Sequence, residues 1–173
     1  ALFFSIVITC IILIMYDDIG LAASCLILVS IIFSRFLVYY GKSFYWMLPA
    51  MFLPMLSVFY ACKRESEGKS FNLMVVSLLA MFLVLFDSLM GYYFISTVLL
   101  SSLAPLLYFM VKDDWESKLL IQRIFVIGLF SLFGFIMALL MHIQQLEFVA
   151  GSYSGAMDII KERILVRTYT NPD

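Results

Sequence analysis

Long apolar runs alternate with short polar breaks along this chain, and the breaks mark out the elements. Runs of this length and purity predict helices that cross a lipid bilayer, since a helix rises 1.5 Å per residue and the hydrocarbon core is about 30 Å thick. The first run, Ala1–Tyr16, gives a helix of only about 24 Å, ending at the acidic pair Asp17-Asp18 and the turn residue Gly20. The second, Ile19–Tyr40, carries Arg35 near its end, where the side chain can snorkel to the interface. The third, Phe44–Cys62, has Pro49 in its first turns and Pro54 deeper, where a kink is expected. A mixed-charge link, Lys63–Lys69, follows.

From Ser70 to Val111 the only charged residue is Asp87. About 40 residues exceed one span, so the run is expected to fold back at Asp87–Gly91. This gives spans at Phe71–Phe86 and Tyr92–Val111, the latter kinked at Pro105. Asp113 and Glu116 have capping-box spacing ahead of the sixth span, Gln122–Leu146. Gly134 and Ala138 give that span a small-residue stripe suited to close helix packing. The expected fold class is therefore all-α: a multi-spanning helical membrane protein of about six transmembrane helices plus a C-terminal amphipathic helix. Two regions are expected, a transmembrane domain over residues 1–146 and a helical tail on the outer face over 147–173.

Composition strengthens this reading. The 173 residues are 64% hydrophobic and 13% charged, with a mean hydropathy of +1.05. Soluble domains are nearer half apolar and a quarter charged. A net charge of -1 and the lack of a basic tract argue against a nucleic-acid partner. Cys10, Cys25 and Cys62 lack metal or redox spacing and read as small core residues. The absence of a leader before the first run, and the abrupt end, are expected of a piece of a longer protein.

Charge also orients the spans. Lys63, Arg64, Lys69, Lys112, Lys118 and Arg123 fall on one face, which the positive-inside rule makes cytoplasmic. Asp17-Asp18 falls on that side too, where adjacent acids are expected to be solvated. The outer face then holds the Tyr39–Lys42 turn, Asp87, Tyr92, His142 and the tail. Asp87 stands alone and either caps the helix after it or serves a site. His142 lies three residues from Gln145 near the end of the last span, at an interface or against a ligand. It is the only histidine, which argues against a histidine metal site. No cofactor is called for, although a divalent metal stays open.

In the tail, helical spacing over Ser154–Thr168 puts Ala156, Ile160 and Ile164 on one face with Arg163 and Arg167. Asp158, Lys161 and Glu162 lie opposite. Arginines on an apolar face need an anionic partner, either lipid head-groups or a phosphate in a pocket.

The stretch Val38-Tyr39-Tyr40-Gly41-Lys42-Ser43-Phe44-Tyr45 resembles an outer turn of the C-type membrane glycosyltransferases (the GT-C fold), the group with protein O-mannosyltransferases and lipid A aminoarabinose transferases. The hairpin Ile12–Ser34, the loop at 63–69 and Gly91-Tyr92-Tyr93-Phe94-Ile95-Ser96-Thr97 fit the same pattern, over residues 12–111 in all. The resemblance implies transfer of a sugar from a polyprenyl-phosphate donor on the outer face of a bacterial inner or plasma membrane. It implies membrane lipid and the donor as partners. Lys42, Arg163 and Arg167 would bind the carrier phosphate. Tyr39, Tyr40 and Tyr92 would stack on sugar or prenyl groups, while Asp87 and His142 would contact hydroxyls. The family's catalytic acid sits in a first outer loop upstream of these residues, so no catalytic residue is assigned. A transporter or flippase-like module and a non-catalytic structural subunit are the alternatives.

Overall fold

Glycines and capping side chains punctuate the chain into helices. The computed structural model describes residues 2–34, 47–91 and 95–168, with the side chains of 47–49 and 163–168 left aside. Among the described residues there are seven helices and no strand. They are α1 (Leu2–Ile19), α2 (Leu21–Phe33), α3 (Met47–Ser66), α4 (Leu73–Met90), α5 (Ile95–Lys112), α6 (Ser117–Ala150) and α7 (Tyr153–Thr168). Four of them, α1, α4, α5 and α6, are long and apolar enough to cross a membrane. Many large apolar side chains on these helices face outward, among them Leu13, Phe82, Leu100 and Phe125. Such a surface suits a lipid environment, because soluble monomers rarely expose large contiguous apolar patches.

Several expected boundaries move, each for a local reason. α1 continues through Asp17-Asp18 and ends at Gly20, whose φ of 82° stops the helix. The two acids are carried into its last turn because both find lysines there. α2 stops at Phe33, with Ser34 extended, so its 13 residues do not make one helix reaching Tyr40; residues 35–46 lie outside the described set. α3 ends in a Schellman turn at Gly68: Lys69 N–H donates to the Arg64 carbonyl at 2.9 Å and Gly68 N–H to Glu65 at 2.8 Å. α4 starts at an Asn72 cap, whose side chain accepts from Val75 N–H at 3.2 Å. It runs past Asp87 to Met90, so the turn falls at Gly91 and Asp87 does not cap the next helix.

The expected Asp113 cap is also corrected. Asp113 N–H donates to the Phe109 carbonyl and Trp115 N–H to Met110, so Asp113 and Asp114 close α5. α6 begins only at Ser117. Asp113 is occupied elsewhere, accepting a hydrogen bond from Ser66 Oγ at 3.0 Å.

The chain divides into two compact units, residues 1–135 and 136–173. In the first unit α3 is central. It packs on α1, α4 and α5, and Val58, Phe59 and Cys62 join Val76, Ala80, Leu106, Phe109, Leu120 and Ile127 in the main core. Cys62 is the buried cysteine; Cys25 is exposed on α2, against expectation. Gly134 of α6 lies so close to Met81 of α4 that a Cβ would overlap the Met81 carbonyl. Half of the small-residue stripe is thus explained, and Ala138 is fully buried. A cavity of ≈ 160 Å³ lies between α1, α3 and α5, walled by Ile14, Met15, Phe59, Pro105 and Tyr108 among other apolar side chains.

In the second unit α6 ends at Gly151, whose φ is 71°. Ser152 then caps α7, accepting from Gly155 N–H at 3.2 Å. Ala156 is fully buried, Ile160 half-buried, and Asp158, Lys161 and Glu162 exposed.

Candidate functional site

The two ends of the first unit are chemically unlike. At one end, three helices repeat one device. Ile14, Phe59 and Tyr108 line the apolar cavity, and four residues further on α1, α3 and α5 carry Asp18, Lys63 and Lys112. Residues four apart stack on one helix face, so a charged layer sits one turn above the cavity wall. Asp17 accepts from Lys63 Nζ at 2.9 Å, and Asp18 pairs with Lys112. The Asp18 side chain is only 5% exposed, so the expectation of two solvated acids holds for Asp17 alone.

A stronger cross-link sits beside them. Arg123 of α6 donates through both terminal nitrogens to the Glu65 carboxylate of α3, at 2.6 Å each. Its guanidinium lies between the rings of Phe71 and Trp115, with its central carbon 4.2 and 4.1 Å from their centroids. The planar, delocalised guanidinium suits both contacts at once. This layer gathers the ends of α1, α3 and α5 and the starts of α4 and α6. Bonded pairwise and walled by aromatics, it works as a closure. Just beyond it, Glu67 accepts from Lys69 at 2.7 Å, which holds its carboxyl below the usual range.

The opposite end has a different character. The buried stripe of α4 runs through Val76, Ser77, Ala80 and Val84, and ends on Asp87 and Ser88. Val84 packs with Met51 of α3 and Val98 of α5, which places Asp87 and Ser88 one turn beyond that cluster on the same helix face. Asp87 is 3% exposed and Ser88 1%. Asp87 Oδ1 and Ser88 Oγ have no hydrogen-bond partner. A buried polar atom left unpaired costs about 1–3 kcal/mol, and more when charged. Neither residue is explained by packing alone.

No family model, curated protein or solved structure matches the chain.

Of the other residues expected at a site, His142 is half-buried in α6 of the second unit. Arg163 and Arg167 belong to α7, but their side chains lie outside the described residues, as do Tyr39, Tyr40, Lys42 and Tyr92 altogether. Among the described residues no group of three or more His, Cys, Asp or Glu could hold a metal ion. The cross-link Glu65–Arg123 and the buried Ser88 had not been singled out from the sequence. Arg123 inside an apolar run was the available signal, because an intramembrane charge needs a named partner.

Proposed function

We propose that this chain is the membrane part of a C-type glycosyltransferase that takes a sugar from a polyprenyl-phosphate donor. The working end is the one opposite the ion-paired layer. The observation that carries this choice of end is Asp87, a buried acid with an unpaired oxygen and no ion pair among the described residues. Asp18 at the other end also leaves Oδ2 unpaired, but Lys112 balances its charge, as Lys63 and Arg123 balance Asp17 and Glu65. In this reading the chain makes six crossings of a bacterial inner or plasma membrane, with the 63–69 loop on the cytoplasmic side. The Tyr39–Lys42 turn and Tyr92 are read as contacts of the sugar and its carrier, His142 as a contact of hydroxyls, and Arg163 and Arg167 as phosphate ligands, while the catalytic acid comes from elsewhere in the full protein.

The deciding experiment measures binding of the polyprenyl-phosphate sugar to the full-length protein in nanodiscs. Arg163→Ala and Arg167→Ala should each weaken binding about tenfold, the equivalent of 1.4 kcal/mol. Lysine at either position should restore part of it, since it lacks the planar fork. Unchanged affinity in the double alanine variant removes the anion-binding role and with it the donor reading of the tail. A second reading, a transport module, is favoured by Asp87 itself, because buried acids in membrane helices mark ion and substrate pathways.

A further inference from the structure

Serine hydroxyls follow a rule in this fold. Ser24, Ser30, Ser57, Ser77, Ser101 and Ser102 each donate to a carbonyl three or four residues back, at 2.7–3.0 Å. This is the ordinary way for a helical serine to satisfy its hydroxyl in apolar surroundings. Ser88 of α4 and Ser131 of α6 break the rule, and of the two only Ser88 stands next to a carboxylate in sequence. The Ser88 hydroxyl is buried and bonds to nothing, although the carbonyl one turn back is available by the same geometry. The preceding residue, Asp87, leaves Oδ1 unpaired in the same buried turn.

Two further features add oxygen ligands and negative potential. Asp87 lies three residues from the end of α4. The last carbonyls of a helix have no donor within it and form the negative end of its dipole. Gly91 N–H takes the Asp87 carbonyl at 3.3 Å, which leaves the carbonyls of residues 88–90 without a donor inside α4. A carboxylate oxygen, a hydroxyl oxygen and helix-terminal carbonyls are hard oxygen donors, the set that alkali and alkaline-earth cations take.

Charge selects between those two classes. One carboxylate balances one positive charge. A divalent ion would leave a net positive charge in an apolar layer, and a neutral ligand would leave a net negative one; either is costly. We propose that Asp87 and Ser88, at the carboxyl end of α4, form a binding site for one monovalent metal cation. The site shares Asp87 with the end chosen for the glycosyltransferase reading, but it binds its ion with neither donor nor acceptor present.

The test uses full-length protein purified into choline buffer. Thermal stability is followed as sodium or potassium replaces choline at constant ionic strength. A saturable rise in Tm with one of the two ions is expected, because a ligand bound only by the folded state stabilises it. Radioactive sodium or potassium, matched to that ion, should bind at one per chain. Ser88→Ala should raise the half-saturating concentration about tenfold, and Asp87→Asn should abolish both effects. If Asp87→Asn does not fold, Ser88→Ala and the direct binding measurement decide. No difference between either ion and choline overturns the site. So does a stability that follows pH and ignores both ions, which means that a proton neutralises Asp87. A Tm rise that persists in full in Ser88→Ala, with unchanged half-saturation, overturns it as well. Polyprenyl-phosphate sugar is absent from every arm, so failure here leaves the donor reading untouched, and failure there leaves this one untouched.

Discussion

Replacing Arg123 by alanine should destabilise the helical bundle by about 3 kcal/mol or more, since breaking a buried ion pair costs about 3–5 kcal/mol. The side chain is 6% exposed, so solvent screens little of the interaction. It makes two charge-assisted hydrogen bonds of 2.6 Å, each of about 1.5–3 kcal/mol. Two ring faces add about 0.5–2 kcal/mol apiece. These terms do not simply add, because Arg123 is desolvated to make them. Glu65 is 27% exposed and can regain water once Arg123 is gone, which holds the net loss near the lower bound. Arg123→Lys keeps the charge but loses the fork and the stacking, and should recover less than half. The assay is reversible unfolding in mixed micelles, followed by the fluorescence of Trp115, which itself stacks on Arg123, in a Trp46→Phe background. A double-mutant cycle with Glu65→Gln isolates the pair, with an expected coupling of about 1.5–3 kcal/mol. A loss under about 1 kcal/mol for Arg123→Ala, or no coupling in the cycle, would show that the pair is ornamental and that apolar packing alone closes this end.

Gly134→Ala should cost about 1–3 kcal/mol, because the new methyl meets the Met81 backbone, which cannot give way cheaply. Gly128→Ala is the control: its methyl would meet only Leu103 Cδ1 at 3.9 Å, so the gain in helix propensity of up to about 1 kcal/mol should show. Opposite signs in the same unfolding assay are the expected result, and equal signs would refute the packing argument. Cysteines placed at Ser66 and Ser154 in a cysteine-free background should be labelled from opposite sides of sealed cells, Ser154 from outside; labelling of Ser66 from outside would reverse the proposed orientation. Lys69→Ala should return Glu67 toward its ordinary carboxylate value, read by NMR titration. Because the pairing lowers the Glu67 value in the folded state, its contribution is present above the unfolded value and is lost as pH falls through the folded one.

Apolar run length was enough to find α1 to α6, because a segment without charge has few ways to satisfy its backbone other than a helix, while α7 was legible only from its helical spacing. Gly134 was legible as well, since a small residue inside a long apolar helix marks close approach. Boundaries near charges were not. Asp17-Asp18 looked like a break, yet both acids ride inside α1, because Lys63 and Lys112 reach them from helices 46 and 94 residues away in sequence. Asp113 looked like a cap for the same reason, until its partner proved to be Ser66. Partners supplied by tertiary structure leave no local pattern. Asp87 was recognisable as unusual by composition alone, but its burial and its pairing with a silent Ser88 depend on which face of α4 meets α3 and α5.

The cavity between α1, α3 and α5 has a mechanical side. Its ≈ 160 Å³ is imperfectly filled space between packed helices, and such space is lost when the helices separate. Volume changes of unfolding, about 20–100 mL/mol in magnitude, scale with such unfilled space without equalling it. Hydrostatic pressure acts on the whole volume change of unfolding, to which the hydration of separated ion pairs in the layer above adds. Compression should therefore loosen the bundle first around Phe59 and Tyr108, beneath ion pairs that heat and salt would attack from the other side.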